Sequence, residues 1–348
     1  MEICACKMKI ALSGYYGFNN AGDEAVLTSI KSGILKTFPD AQISVLDRKN
    51  RFNLKMIFNC DILISGGGSL LQDKTSTRSF LYYLSIINLA KMLGKKVFIF
   101  AQGLGPITKW YNLILLKRML NRVDLITVRD INSFNYFKSL KLNNPKIVET
   151  ADPTFILSPE NGEKILRLEG APLNKRPIIG VSIRKMPDYT ALADALDELC
   201  RKLDAQILFV PFQFPLDIAA SQIVIERMKE KANIIFRQCR PEEIMGIIGQ
   251  VDLMIGMRLH SLIFAVNCLV PALGLSYDPK VEAFMDEVDL PYLPVALINS
   301  RELVSIITEL MDNRAGVVKS LEIARRKLRA RAETNFGMLK MLLRRFLK

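Results

Sequence analysis

Histidine is nearly missing from this chain: His260 is the only one in 348 residues. An imidazole-based zinc shell is therefore not available, and no clustered carboxylates replace it with a hard-cation shell, so no metal site is expected. The six cysteines (Cys4, Cys6, Cys60, Cys200, Cys239, Cys268) lack paired metal-type spacing. No apolar run stands behind the charges of Met1–Lys9, so a signal peptide is not expected, and the thiols are expected reduced in a cytosolic setting. The longest uncharged stretch begins at Ser261 and is broken by Pro271 and Gly274, which leaves it short of a membrane span. Also missing are the dinucleotide Gly-x-Gly-x-x-Gly, a Walker loop and a Gly-x-Ser-x-Gly elbow. Nucleotide binding by those loops and a serine triad thus have no support.

What is present is length and apolar content enough for two domains: half the residues are hydrophobic and no low-complexity tract intervenes. The net charge of +13 is concentrated. From Arg314 onward eleven Lys/Arg face only Glu322 and Glu333, a local excess of 11 − 2 = +9. No groove-reading or aromatic interleaving accompanies it, so no nucleic-acid partner is expected. Leu339, Leu342, Leu343, Phe346 and Leu347 fall on one helical face there, with Lys340, Arg344, Arg345 and Lys348 on the other. Two readings stand for this tail: peripheral contact with an anionic membrane at its inner face, or a helix docked on the body with a solvated basic side.

Strands, glycine-rich loops and helices alternate through both halves, the signature of α/β architecture with parallel sheets. In the first half Lys9–Leu12 runs into a loop with Gly14, Gly17 and Gly22, and Ile62–Ser65 runs into Gly66-Gly67-Gly68. Glycines at strand ends permit tight turns and close approach of a ligand. The segment Ala151–Pro177 reads as a linker. The expected organisation is a first Rossmann-like domain over 8–165, a second over 176–312 and a basic helical tail over 313–348. The two domains are expected to face a cleft, as in the glycosyltransferase-B arrangement, which by itself carries no function.

In the second half the predicted strand ends carry Arg184, Gln213, Arg258 with His260, and Lys280. Ligands of open α/β sheets bind outside the carboxyl ends of strands, where a helix start favours anions. Three cations and one group that exchanges a proton near neutral pH suit a small, multiply charged anion. The plainer reading is that Arg258 pairs with a carboxylate and His260 caps its helix.

At these residues the chain resembles the polysaccharide pyruvyltransferases of the CsaB type. The carriers run through nearly the whole length: Gly14-Tyr15-Tyr16-Gly17, Asn20-Ala21-Gly22-Asp23-Glu24-Ala25, Gly66–Asp73, Ala101–Pro106, Val128-Arg129-Asp130, Asp152-Pro153, Ser182-Ile183-Arg184, Gly256–His260 and Ser276–Lys280. The resemblance implies transfer of pyruvate from phosphoenolpyruvate to two hydroxyls of a sugar, as a ketal, with release of phosphate and no further cofactor. It implies that Arg184, Arg258, Leu259 and His260 hold the donor and that Lys280 takes part. It also implies, less directly, a lipid-linked acceptor containing N-acetylmannosamine, a precursor of the secondary cell-wall polymer that anchors S-layer proteins.

Catalysis is accordingly expected from His260, Arg258, Arg184 and Lys280. Acceptor contacts are expected on the first domain from Asn20, Asp23, Glu24, Gly67, Gly68 and Gln72, with Asn19 beside them. For Asp23 and Glu24 the plainer reading is that they favour the first turn of their helix. A nucleotide-sugar glycosyltransferase or epimerase of the same architecture is the competing reading, with Glu282 near the place where such enzymes grip a ribose.

Overall fold

The computed structural model describes residues 8–74, 76–103, 105, 107–170 and 176–344. The leader with Cys4 and Cys6, the motif positions Leu104 and Pro106, and the tail residues Arg345, Phe346, Leu347 and Lys348 lie outside them. Two compact units divide the chain. The first takes residues through Phe18, Asp23–Ile156 and Leu328–Lys348; the second takes Asn19–Gly22 and Leu157–Lys327.

The first unit follows the order β1 (Lys9–Ser13), α1 (Ala21–Thr37, its first two residues counted with the second unit), β2 (Gln42–Leu46), α2 (Lys55–Asn59), β3 (Ile62–Gly66), α3 (Thr77–Met92), β4 (Lys96–Gln102), α4 (Trp110–Leu120), β5 (Leu125–Val128), α5 (Ile131–Ser139) and β6 (Lys146–Glu149). Its central strands read as unbroken apolar runs because both faces are covered. Ile10, Leu12, Ile62, Ile64, Phe98 and Phe100 turn to one side, against Val26, Ile30 and Ile34 of α1. Ala11, Leu63, Val97 and Ile99 turn to the other, against Phe80, Leu84 and Ile87 of α3 and Leu116 of α4. All pairings are parallel, in the order β2-β1-β3-β4-β5-β6.

The second unit follows α6 (Gly162–Leu168), β7 (Ile178–Ser182), α7 (Thr190–Leu203), β8 (Gln206–Phe209), α8 (Leu216–Arg227), β9 (Ala232–Ile234), α9 (Pro241–Ile248), β10 (Leu253–Gly256), α10 (Leu259–Asn267), β11 (Ala272–Ser276), α11 (Pro279–Glu287), β12 (Tyr292–Pro294), α12 (Ser300–Asp312) and the start of α13 (Arg314–Arg344). Its strands are also parallel, in the order β12-β11-β10-β7-β8-β9. Each sheet therefore reverses its winding once, between β1 and β3 in the first and between β7 and β10 in the second. At such a switch point the loops from neighbouring strands part company and leave room for a ligand.

The chain divides differently from the expected 8–165, 176–312 and 313–348. The change of unit falls at Ile156/Leu157, ahead of most of the Ala151–Pro177 segment, and the tail is no separate piece. Phe336, Leu339 and Leu343 are buried in the first unit's core, and the Phe336 ring centroid lies 5.2 Å from that of Phe100. Asn335, fully buried, accepts hydrogen bonds from the hydroxyls of Thr127 at 2.6 Å and Thr150 at 3.0 Å. The docked-helix reading of the tail is the one observed for Leu339 and Leu343, since their apolar face is already covered. No helix among the described residues is long and apolar enough to cross a membrane.

Candidate active site

Arg258 leaves the end of β10 and occupies the N-cap position of α10, where its side chain makes no cap hydrogen bond. Its guanidinium turns to Asp217 at the first turn of α8. Nε and Nη2 donate to the two carboxylate oxygens at 3.0 and 2.5 Å. Asp217, 1 % exposed, also accepts the backbone N–H groups of Phe212 at 3.1 Å and Gln213 at 2.8 Å. The carboxylate thus fixes one edge of the guanidinium, and the Nη1 side takes no part in that pairing. Half of the plain reading holds: Arg258 does pair with a carboxylate. The other half does not, because the helix begins at Leu259 and His260 lies inside its first turn.

His260 has an unforeseen neighbour. Gly22, at the start of α1 but belonging to the second unit, lies against the imidazole so closely that a β-carbon there would overlap Nδ1. The segment carrying it is held by backbone pairing: Ala21 N–H donates to Phe212 O at 2.8 Å, Phe214 N–H to Asn19 O at 3.0 Å, and Asn20 bridges Gln213 antiparallel. Asn20, expected among the acceptor residues of the first domain, is therefore grouped with the His260 unit. Its side chain accepts the Gly22 N–H at 3.2 Å, so it shapes the turn against the imidazole.

Arg184, two residues past β7, and Lys280, in the first turn of α11, meet around one aromatic ring. The Arg184 guanidinium carbon stands 4.4 Å and Lys280 Nζ 6.0 Å from the ring centroid of Tyr277. A cation over a ring face is attracted by the ring quadrupole, so Tyr277 holds two like charges on one platform. Asp278 caps α11 through the Lys280 N–H and lies 3.4 Å from Lys280 Nζ. Glu282, the residue that favoured a ribose, accepts the buried Ser276 hydroxyl at 2.6 Å. Leu259 is buried and packs rather than presenting a polar group. At the switch point itself the Ser182 hydroxyl is fully buried, with no hydrogen-bond partner among the described residues.

In the first unit Gly67 and Gly68 make the tight turn expected at the end of a strand. Gly67 and Gly68 have φ of +67° and +71°, and a β-carbon on Gly67 would overlap Val26 of α1. Asp23 faces Gly68, its Oδ1 3.4 Å from where a β-carbon would stand, and Gln72 packs on Gly105. Glu24 is committed to the loop: its Oε1 accepts the Gly17 N–H at 2.6 Å, and burial lifts its carboxyl above the ordinary value. Buried Tyr16 donates to Gly66 O at 2.6 Å, and burial pushes its phenol well up. The Ser13 and Ser65 hydroxyls are buried register partners at the ends of β1 and β3, and neither has a hydrogen-bond partner among the described residues.

Beside this switch point a cavity of about 310 Å³ is lined by Tyr15, Phe18, Phe52, Tyr83, Arg51 and Arg78 together with the Ser76 cap of α3. Tyr15 and Phe18 stack at 4.1 Å, and Arg51 lies 4.4 Å over the Tyr82 ring. Aromatic faces with guanidinium groups suit a sugar ring carrying polar or anionic substituents.

The sequence matches the polysaccharide pyruvyl transferase family over residues 20–279. The chain belongs to that family. Among curated proteins it is similar to the amylovoran biosynthesis protein AmsJ of Erwinia amylovora, with 20 % identity over 275 residues, 72 % of this chain and 63 % of that protein. It therefore spans less than two thirds of that relative's length. HepE of Anabaena, solved in complex with UDP-glucose, superposes with a TM-score of 0.62 at 14 % identity, covering 95 % of this chain and 99 % of that one. The UDP-GlcNAc 2-epimerase of Neisseria meningitidis, bound to UDP-GlcNAc, superposes with a TM-score of 0.59 at 12 % identity, covering 96 % and 100 %. At these identities the likeness concerns the fold alone. Two parallel six-stranded sheets flanked by helices give this pyruvyl transferase family member a glycosyltransferase-B-like fold.

Proposed function

We propose that the protein transfers the pyruvyl group of phosphoenolpyruvate, as a ketal, to two hydroxyls of a sugar in a polysaccharide under construction. The observation that carries this reading is the family match, whose range takes in Arg184, Arg258 and His260 at the second sheet's switch point. A carboxylate and a phosphate on a three-carbon enol need several cationic donors in fixed directions. Asp217 supplies the direction for Arg258, and the Tyr277 platform gathers Arg184 with Lys280.

The reaction balances without an oxidant. A proton added to the methylene carbon of the enol turns it into methyl and makes C2 an electrophile. One acceptor hydroxyl adds to C2 and gives up its proton, replacing the one consumed. The second hydroxyl forms the other C–O bond as the bond from C2 to the phosphate oxygen breaks, and inorganic phosphate leaves with the second proton. His260 is the proton carrier in this scheme, a role worth roughly 10²–10⁴-fold in rate. Arg184, Arg258 and Lys280 neutralise the carboxylate and the departing phosphate, and such electrostatic stabilisation is usually the largest contribution.

For the acceptor we propose a lipid-linked saccharide, with N-acetylmannosamine of a secondary cell-wall polymer precursor, as in the CsaB type, tried first. The name of the amylovoran biosynthesis relative supports a polymer-building role more than it supports a particular sugar. Asp23, Gly67, Gly68 and Gln72, with the aromatic cavity beside them, are the first unit's acceptor candidates. Glu24 and Asn20 are better read as shaping the loops. The deciding assay follows phosphate release from phosphoenolpyruvate with and without a lipid-linked disaccharide. Acceptor-dependent release is expected; turnover of a nucleotide sugar in its place would favour a glycosyltransferase or epimerase. Calorimetry of Arg184→Ala and Arg258→Ala with phosphoenolpyruvate should find binding weakened by at least about tenfold, and unchanged binding would remove the donor-site assignment.

A further inference from the structure

Helix α4 carries two faces of opposite use. Asn112, Leu116 and Leu120 are buried, and Leu113 and Met119 pack partly against the first unit's core. On the opposite side Trp110 is 74 % exposed, Tyr111 44 %, Ile114 56 % and Leu115 43 %. At 100° per residue these four span one continuous face, and exposed Arg118 projects from its middle. Large apolar side chains scattered singly on a surface mean little, but four on one helical face, two of them aromatic, are a contiguous patch.

The charge around the patch tells what covers it. On α4 and at its two ends the sequence from Lys109 to Val123 carries four basic residues (Lys109, Lys117, Arg118, Arg122) and no Asp or Glu, while the nearest carboxylates in sequence are committed, Asp73 to the start of the helix and Asp124 to Lys91 and Lys96. A second copy docking isologously would set this basic field against itself. An apolar stripe with Trp and Tyr, flanked by Lys and Arg, matches the boundary between anionic headgroups and acyl chains.

The start of the helix is also tied to the first unit by hydrogen bonds. The Asp73 carboxylate accepts Thr108 N–H at 2.7 Å, Thr108 hydroxyl at 2.9 Å, Lys109 N–H at 3.1 Å and Asn112 Nδ2 at 2.8 Å. It thereby ties the residues leading into α4, and Asn112 in its first turn, to the loop after β3. Lys109 Nζ donates to Thr77 at 2.7 Å, tying the start of α4 to that of α3.

We propose that the protein docks on an anionic lipid surface through the Trp110/Tyr111/Ile114/Leu115 face of α4. The tail cannot supply this contact with Phe336, Leu339 and Leu343, which are buried. The proposal does not rest on the reaction chemistry, and its test needs neither substrate.

Trp110 is the only tryptophan in the chain, so its fluorescence reports this face alone. The full chain is mixed with vesicles of phosphatidylcholine alone or with phosphatidylglycerol. With the anionic vesicles co-sedimentation is expected, with a blue-shifted emission quenched by brominated acyl chains and weakened by salt. Ile114→Ser combined with Leu115→Ser, both at exposed positions, should lower partitioning about tenfold or more at an unchanged melting temperature. Lys109→Glu with Arg118→Glu should lower it without removing the apolar face. The proposal is overturned if neither sedimentation nor a spectral change occurs, or if sedimentation occurs with Trp110 emission unchanged. It is equally overturned if lipid-free protein forms a dimer that Ile114→Ser with Leu115→Ser dissolves.

Discussion

Gly22 and His260 touch: the α-carbon of one lies against the ring of the other, with no room for a β-carbon between them. A residue from the start of the chain thereby sets the position of its only imidazole. Gly22→Ala is expected to push the ring aside and lower kcat by about tenfold or more, approaching the loss in His260→Gln, while phosphoenolpyruvate binding falls less. Comparing kcat with the calorimetric Kd for both variants checks this. An alanine variant with wild-type turnover would detach Gly22 from the mechanism.

Asp217 should behave as a positioning residue. Asp217→Asn keeps the size but removes the charge that faces Arg258 and weakens an acceptor of two loop amides. Breaking a buried charge pair from one side costs about 3–5 kcal/mol, at the lower end here because Arg258 keeps some solvent contact. A fall in melting temperature is expected together with a raised KM for phosphoenolpyruvate. A purely structural role would lower the melting temperature and leave KM untouched.

Asp73 gives a pH signature. Burial works against its charge, but the hydrogen bonds from Asn112, from Thr108 N–H and hydroxyl, and from Lys109 N–H outweigh it and hold the carboxyl at about 2. A depressed pKa means stability that is present above the unfolded carboxylate value and lost as pH falls through about 2. The melting temperature of Asp73→Asn should therefore lie below wild type near neutrality. The gap should narrow as pH drops from the ordinary carboxylate range toward about 2. A gap independent of pH would mean that shape, not charge, holds the start of α4.

Phe336→Ala should destabilise the protein by about 3–5 kcal/mol, as for other buried aromatic truncations. Its ring packs on Phe100 and fills the space over Gly33, where a β-carbon would overlap it. Chemical denaturation measures the loss. A chain cut before Thr334 is accordingly expected to lose solubility in the absence of any lipid, because Leu339 and Leu343 leave a core. A soluble, fully folded truncation would return the tail to the role of a detachable arm.

The alternation of apolar runs and glycine loops placed most strands, and Arg184, Arg258, His260 and Lys280 were legible because each follows the end of one. Asp217 was not: an acid in a helix's first turn looks the same whether it serves the helix dipole or a distant guanidinium. Gly22 reads as a tight turn that lets a ligand approach, since sequence carries no sign of a ring packed on its α-carbon. Its neighbour Asn20 was assigned to the wrong unit for the same reason, backbone pairing with residues 212–214 being invisible in side-chain pattern. The tail stayed open between its two readings because one amphipathic period serves a membrane or a protein core equally well. The exposed face of α4 was hidden inside a helix whose apolar content fitted burial on every side.

Helix α13 has a consequence for synthesis. The first unit's sheet is complete once the ribosome has passed β6, yet Asn335, Phe336, Leu339 and Leu343, which finish its interior, are translated only after the second unit. Until then Phe100 and Gly33 lack the ring that covers them. The nascent chain waits through the whole of the second unit, synthesised at about 5–20 residues per second, with the part of that sheet face beyond α1 uncovered. The protein's two halves are thus finished in the reverse of the order in which they are begun.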